Sequence, residues 1–142
     1  MMAKLDGPLK HRRCCVIAEH GSKASFLSDV LTDAEGDIVS VVDRMAIREL
    51  AKLKLDFLLV DADQFEFDPL ETLRMMRFVL PSCMIAVYTS SPSSPSSFAY
   101  HLAGTNCMLL KGSTRAHLIG GIRRSLATGC WTDPGFGLTN GA

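Results

Sequence analysis

The sequence lacks any long apolar run. A membrane-spanning helix needs about 20 consecutive apolar residues, and no run in the 142 residues approaches that length. Residues 1–13 are polar and basic, without the apolar centre that a secretory signal peptide requires. We therefore expect a cytoplasmic protein that does not cross or bind a membrane.

The chain also lacks an excess of charge of either sign. Lysine plus arginine and aspartate plus glutamate number 15 each. Proteins that bind nucleic acid directly usually carry a basic face, and this balance gives no sign of one. Apolar residues make up 47% of the chain, which is enough for the core of a single globular domain.

Paired cysteines are missing as well. The five cysteines are an odd number, and no two have the C-x-x-C spacing of many zinc sites. Cys15, Cys83 and Cys107 lie in or beside apolar runs. This pattern predicts reduced thiols packed in the interior, as is usual in the cytoplasm.

What the sequence does contain is short apolar runs that end in polar residues. The clearest covers residues 56–61, where four apolar residues stand between two aspartates. Such a run is typical of a strand that is buried on both faces of a parallel sheet. The other runs that predict strands are residues 13–18, 37–42, 84–89 and 108–110.

Patterns typical of helices follow each predicted strand. Asp68, Pro69 and Glu71 form the clearest helix start, with a capping box and a proline at the first helical position. The other predicted caps are Ser22, Asp43, Ser96 or Ser97, and Ser113. Residues 90–97, all serine or proline, predict a flexible loop. Five strands alternating with five helices indicate a parallel sheet with helices on both faces.

The pattern also predicts the limits of the domain. We expect one α/β domain over residues 13–128. Residues 1–12 are predicted to be a loose N-terminal tail. Residues 129–142, rich in glycine and polar residues, are predicted to be a linker-like C-terminal tail.

Polar side chains stand where the predicted strands end. Glu19 and His20 follow the first strand, Asp61 ends the third, Thr89 ends the fourth and Lys111 follows the fifth. Ligands of open α/β sheets bind outside the carboxyl ends of the strands. Two acids, an imidazole, a hydroxyl and an amine at one edge would suit a phosphoryl group.

The order and spacing of these residues, with Asp68 seven positions after Asp61, resemble the receiver domain of bacterial two-component response regulators. Residues 103–113 and 122–134 are similar to receivers that precede LuxR-type (NarL/FixJ-like) DNA-binding domains. The resemblance covers roughly residues 13–134. Its single motifs are weak, but their order and spacing together are specific.

The resemblance implies a flavodoxin-like, doubly wound sheet of five strands in the order 2-1-3-4-5. Asp61 would accept a phosphoryl group from a histidine kinase or a phosphotransfer protein. Lys111 would pair with one phosphate oxygen, and Thr89 would bond another and couple it to loop movement. The domain would be a switch rather than an enzyme. It would reach DNA only through an effector domain absent from this chain, and homodimerisation stays open.

Two positions depart from the pattern of that family. His20 stands where a second acid usually ligates Mg²⁺, and imidazole suits zinc or copper better. Mg²⁺ would keep Asp61, the carbonyl of Asp63 and, through water, Glu19. Met108 replaces a frequent tyrosine or phenylalanine. We therefore expect weakened Mg²⁺ binding and slower phosphorylation.

These departures keep other interpretations open. The chain could be a pseudo-receiver that acts without phosphorylation in protein–protein interaction or dimerisation. A flavodoxin-like cofactor-binding domain would need a phosphate-cradling loop after the first strand, where this chain has an acid and only Gly21. Asp61 could be a plain turn residue, and Lys111 a surface lysine. No helix-turn-helix sequence follows, so the domain either stands alone or is part of a longer regulator.

Overall fold

A computed structural model describes residues 6–44, 47–65, 68–90 and 94–136, with residues 94–96 described by their backbone alone. In these residues six parallel strands form one sheet in the order β2-β1-β3-β4-β5-β6. The strands are β1 Arg13–Ile17, β2 Asp37–Val42, β3 Phe57–Asp61, β4 Met84–Thr89, β5 Cys107–Leu110 and β6 Trp131–Thr132. The predicted order of the first five strands is confirmed.

Helices cover both faces of this sheet. They are α1 Ser22–Asp33, α2 Ile47–Lys52, α3 Pro69–Val79, α4 Ser94–Leu102 and α5 Arg115–Thr128. Single 3-10 turns follow β3 at Ala62–Gln64 and β6 at Pro134–Phe136. The doubly wound α/β architecture predicted from the alternation of strands and helices is therefore confirmed.

Alternate residues of each central strand enter two separate cores. In β3, Phe57 and Leu59 pack with α1 and α5, while Leu58 and Val60 pack against α2, α3 and α4. This is the two-residue period of a strand, and it requires apolar residues at every position of a strand that is covered on both sides. A polar residue can enter such a strand only where it ends, which is the position of Asp61.

The prediction of five strands was wrong by one. The short strand β6 pairs with β5, with Cys107 opposite Trp131 and Met108 opposite Thr132. Two histidine side chains hold the segment by hydrogen bonds, His101 to the Thr132 hydroxyl and His117 to the Asp133 carboxylate. Because β6 is only two residues long, it contains no apolar run from which the sequence could predict a strand.

Both ends of the described chain pack on the domain. The Leu9 side chain, in the predicted N-terminal tail, is fully buried, and its backbone N–H donates to Ala34 O at 2.9 Å. Phe136, in the predicted C-terminal tail, is also fully buried. The remainder of the two predicted tails, residues 1–5 and 137–142, lies outside the described residues.

The predicted helix starts were right in one case and shifted in others. Asp68 caps α3 by accepting the Leu70 N–H at 3.0 Å, as predicted. Within the described residues the reciprocal bond of the predicted capping box is not formed, because the Glu71 carboxylate pairs with Arg74 instead. In contrast, Gly21 rather than Ser22 caps α1 without a side-chain bond, and Thr114 rather than Ser113 caps α5. Residues 45–46, which follow the predicted cap Asp43, lie outside the described residues, and α2 is described from Ile47. Residues 91–93 of the predicted loop and the side chain of the predicted cap Ser96 also lie outside them.

The fourth helix begins inside the run that was predicted to be a loop. It starts at Ser94, four residues before the predicted start. Proline is tolerated in the first turn of a helix, where its missing N–H has no intrahelical partner. Pro95 is therefore compatible with a helix start that the serine and proline content concealed.

The predicted burial of three cysteines is confirmed. Cys15, Cys83 and Cys107 are buried and unpaired by disulfides, and only Cys130 among the five is exposed. Burial raises the pKa of the Cys107 thiol to about 12. Nowhere in the described part of the chain is a helix both long and apolar enough to span a membrane.

Two adjacent glycines of α5 give a matched test of this packing. A Cβ on Gly121 would lie 2.3 Å from the Trp131 ring, whereas a Cβ on Gly120 would meet nothing within 4 Å. Gly120→Ala should stabilise the protein by about 0.5–1 kcal/mol through helix propensity. Gly121→Ala should destabilise it by about 1–3 kcal/mol through overpacking against β6.

Urea unfolding followed by circular dichroism measures both free energies. Equal effects of the two substitutions would contradict the packing of Trp131 on α5.

Candidate functional site

Asp61 occupies the carboxyl end of the central strand β3. It lies opposite Tyr88 of β4, and its side chain is completely buried. An ionised carboxylate is costly to bury unless it is paired and hydrogen-bonded. The groups around Asp61 therefore decide whether this position can carry a charge.

Lys111 supplies the opposite charge. It follows β5 directly, and its backbone N–H donates to Thr89 O at 3.0 Å. Its ammonium nitrogen lies 2.9 Å from Asp61 Oδ1 and 3.0 Å from Asp63 Oδ2. Burial lowers the pKa of Lys111, but the two carboxylates outweigh burial, and the net shift is upward. The amine is thus held as a cation between two acids.

The Tyr88 ring lies beneath this cation. Lys111 Nζ is 5.5 Å from the ring centroid, within the range of a cation–π contact. Tyr88 itself packs on Phe26 of α1, with their ring centroids 6.4 Å apart. The aromatic contact restricts the long Lys111 side chain to the position between the two carboxylates.

Asp63 is brought to the site by the 3-10 turn that follows β3. Asp61 Oδ1 accepts the Asp63 N–H at 3.1 Å, which closes a local turn of the kind aspartate favours. The Asp63 carboxylate then reaches the end of β4. It accepts hydrogen bonds from the Thr89 hydroxyl, from Ser90 N–H at 2.9 Å and from the Ser90 hydroxyl at 2.7 Å.

These bonds change the acidity of Asp63. Burial alone would raise its pKa, but donation from Thr89, Ser90 and Lys111 outweighs burial and lowers the pKa to about 2. Hydrogen bonds to the charged form of a carboxyl group favour that form. Asp63 is therefore an anion at any physiological pH.

One oxygen of Asp61 remains without a partner. Oδ1 is bound by Lys111 and by the Asp63 N–H. Oδ2 is buried and has no hydrogen bond within the described residues. A buried, unsatisfied oxygen of this kind costs free energy. Oδ2 is also the one Asp61 oxygen whose bonding capacity is unused within the described structure.

The predicted rim residues are only partly brought together. Asp61, Asp63, Thr89 and Lys111 form one cluster through the contacts above. Glu19 and His20 follow β1, which lies next to β3 as predicted, but both are exposed. No hydrogen bond or ion pair links either side chain to the described residues of this cluster.

The side chains described at this edge do not form a preassembled metal site. Among the described residues no group of three or more histidine, cysteine, aspartate or glutamate side chains is placed to hold an ion. The carboxylate of Asp63, which could ligate a hard cation, is instead engaged by three hydrogen-bond donors and Lys111.

Sequence reasoning missed the roles of three side chains at this edge. It assigned only the carbonyl of Asp63 to the site, although its carboxylate makes most of the contacts. Ser90 was predicted only as part of the loop 90–97, and Tyr88 only as part of the strand 84–89. The Asp61-Ala62-Asp63 spacing was the available signal, since a tight turn places both acids at the same strand end.

Several solved structures share this fold. The receiver domain of RcsB from Salmonella enterica serovar Typhimurium, solved with the phosphomimetic BeF3−, has a TM-score of 0.76 and 16% identity over 91% of this chain and 96% of its own. A chain of the CheX–CheY–BeF3–Mg²⁺ complex from Borrelia burgdorferi has a TM-score of 0.72 and 10% identity over 80% and 87%.

A pilus assembly-related protein from Burkholderia pseudomallei has a TM-score of 0.70 and 15% identity over 92% of this chain and 98% of its own. No family model and no curated protein matches the sequence. At these identities the comparisons establish the fold, which is that of response-regulator receiver domains. The predicted CheY-like fold is thereby confirmed, while the LuxR-type subclass stays a prediction.

The depressed pKa of Asp63 gives a pH-dependent prediction. The carboxyl group has a pKa of about 2 when folded and about 3.9 when unfolded. Its ionised form therefore stabilises the fold above about pH 4, and this contribution is lost as the pH falls towards 2. The stability difference between wild type and Asp63→Asn, measured by urea unfolding from pH 6 to pH 2, should shrink over that interval. A difference that is constant with pH would contradict the bonding of Asp63.

The Lys111 ion pair gives a second prediction for stability. Lys111→Ala leaves a buried carboxylate without its cation, which typically costs about 3–5 kcal/mol. Because the Lys111 side chain is 18% exposed, we expect a loss of about 3 kcal/mol in urea unfolding at pH 7. The double variant Asp61→Asn/Lys111→Ala should recover most of the loss. A double variant no more stable than Lys111→Ala would show that the pairing is not the cause.

Proposed function

We propose that this chain is a receiver domain that accepts a phosphoryl group on Asp61 and signals by a change of conformation. The observation that carries the proposal is the buried Asp61–Lys111 pair at the carboxyl end of β3, with Oδ2 of Asp61 left unbonded. Buried ion pairs often contribute little net stability. A charged pair at the edge where doubly wound sheets bind their ligands is better explained by a role in ligand binding.

The geometry supports a distinct role for each group. Asp61 Oδ2 is the nucleophile, because Oδ1 is already bonded. As the bond from Oδ2 to phosphorus forms, the bond from phosphorus to the histidine nitrogen of the partner protein breaks. Lys111 offsets the negative charge of the phosphoryl oxygens. Phosphoryl transfer needs mainly such positioning and charge stabilisation.

Thr89 and Ser90 would convert phosphorylation into movement. Both lie at the end of β4, and the chain next enters α4 at Ser94. Their hydroxyl groups and the Ser90 N–H are donors that a phosphoryl oxygen could engage. A change of acceptor at these donors would shift the segment between β4 and α4, which supports signalling through that surface.

Mg²⁺ is proposed to bind weakly. One fold relative was solved in a complex with BeF3 and Mg²⁺. In this chain His20 replaces an acid, Glu19 is exposed, and no three described acids, histidines or cysteines are placed to hold an ion. We therefore assign no step of the reaction to a metal ion, and we expect only a modest dependence on Mg²⁺.

The remaining parts of the proposal concern partners. A histidine kinase or phosphotransfer protein would supply the phosphoryl group in the cytoplasm, and the domain itself would not act as an enzyme. Control of transcription would require an effector domain outside these 142 residues, of the LuxR type that the sequence resembles. Homodimerisation through the receiver surface is the alternative route for output.

A second function, that of a pseudo-receiver, is favoured by one specific observation. Asp61 is completely buried, and Asp63 already engages the donors that a phosphoryl group would use. A phosphoryl donor cannot reach Asp61 until part of the site rearranges. A domain of this kind would act through protein–protein contacts alone. The fold neighbours include a pilus assembly-related protein, so the fold also occurs outside proteins described as response regulators.

Intact-protein mass spectrometry after incubation with acetyl phosphate separates the two functions. We expect a base-labile, acid-stable phosphoryl adduct on wild type that is absent from Asp61→Asn. The exposed aspartate variant Asp43→Asn is the matched control and should retain the adduct. The absence of an adduct at every Mg²⁺ concentration, or its persistence in Asp61→Asn, would contradict phosphorylation at Asp61 and favour the pseudo-receiver.

A further inference from the structure

The Asp63 carboxylate accepts the hydrogen bonds that the end of β4 can donate. Its Oδ1 accepts from the Thr89 hydroxyl, and its Oδ2 accepts from Ser90 N–H and from the Ser90 hydroxyl. Oδ2 also lies 3.0 Å from Lys111 Nζ. Four donors from two strand ends thus converge on one side chain.

Such a set of donors is suited to an oxyanion. A hydroxyl, a backbone N–H and an ammonium group make short, charge-assisted hydrogen bonds to carboxylate or phosphoryl oxygens alike. Lys111 also contacts Asp61, so the anion position lies beside the proposed acceptor. The same donors cannot fully serve Asp63 and a phosphoryl group on Asp61 at one time.

The charges lead to the same conclusion. Asp61 and Asp63 share a single cation, Lys111, so two negative charges already meet one positive charge. A phosphoryl group would add further negative charge within a few ångströms. Like charges this close in a partly buried site repel strongly. Either the Asp63 carboxylate moves away from Lys111, Thr89 and Ser90, or its repulsion destabilises a phosphoryl group on Asp61.

We propose that Asp63 is an internal ligand of the receiver site, which holds Thr89 and Ser90 as a phosphoryl group would hold them. The domain then carries its ligand-bound arrangement without phosphate, and an oxyanion on Asp61 must first displace Asp63. The inference rests on the proposed function in one respect, the assignment of the anion position beside Asp61. It goes beyond the proposed function, in which the Thr89 hydroxyl binds a phosphoryl oxygen only after Asp61 is phosphorylated.

The first test needs no ligand. Amide NMR spectra of wild type, Asp63→Ala and the exposed control Glu71→Ala are compared. The Ser90 amide proton should move upfield in Asp63→Ala, and its hydrogen exchange should accelerate roughly tenfold or more, the factor that one hydrogen bond of this strength represents. Glu71→Ala should leave it unchanged, since Glu71 pairs only with Arg74 at the surface in the described structure. An unchanged Ser90 amide in Asp63→Ala would overturn the inference.

The second test adds beryllium fluoride, with and without Mg²⁺. In Asp63→Ala it should bind roughly tenfold or more tightly than in wild type. It should also return the Ser90 amide towards its wild-type position. Equal affinity for the two proteins would overturn the inference. If Asp63→Ala does not fold, Asp63→Asn, which keeps one acceptor oxygen, should give smaller changes in the same direction.

The two tests distinguish failure of this inference from failure of the proposed function. If neither protein binds beryllofluoride but the Ser90 amide responds to Asp63→Ala, Asp63 is the internal ligand and Asp61 is not a phosphoryl acceptor. If beryllofluoride binds both proteins equally and the Ser90 amide does not respond, the receiver function stands and the role of Asp63 does not.

Discussion

The bridge of Lys111 between Asp61 and Asp63 is the interaction on which the site depends. The sheet order places the ends of β3, β4 and β5 side by side, and the bridge joins the first and the last of them. Without the cation, two carboxylates would face each other at the end of a buried strand. With it, Asp61 can stay charged although it is fully buried.

The fold supports this bridge through strictly alternating packing. Residues of β3 point in turn to two apolar cores, and the first polar side chain appears only at its last position. Tyr88 belongs to the core shared with α1 and α5, yet it also contacts Lys111. The charged cluster thus lies directly on the apolar core. Backbone movement is most easily accommodated in the polar segments that follow β3 and β4, which carry Asp63 and Ser90.

The parts of the fold that have strong periodicity could be predicted from the sequence. The β2 and β4 ranges were predicted without error, and Asp68 caps α3 as predicted. The strand β6 could not be predicted, because its two residues are placed by contacts with α5 and α4 rather than by a pattern of their own. At the site, Asp61 and Lys111 follow from strand ends. The Asp61-Ala62-Asp63 spacing could place Asp63 at the same strand end, but the bonds of its carboxylate to Thr89 and Ser90 depend on the 3-10 turn, which the spacing alone does not specify.

The most direct measurement for the account as a whole is a structure of the wild-type protein determined at a high concentration of beryllium fluoride. The account predicts beryllofluoride on Asp61 Oδ2, with one fluorine near Lys111 and the Asp63 carboxylate moved away from Thr89 and Ser90. Asp61 unoccupied, or Asp63 still bonded to Thr89 and Ser90 beside a bound beryllofluoride, would contradict it.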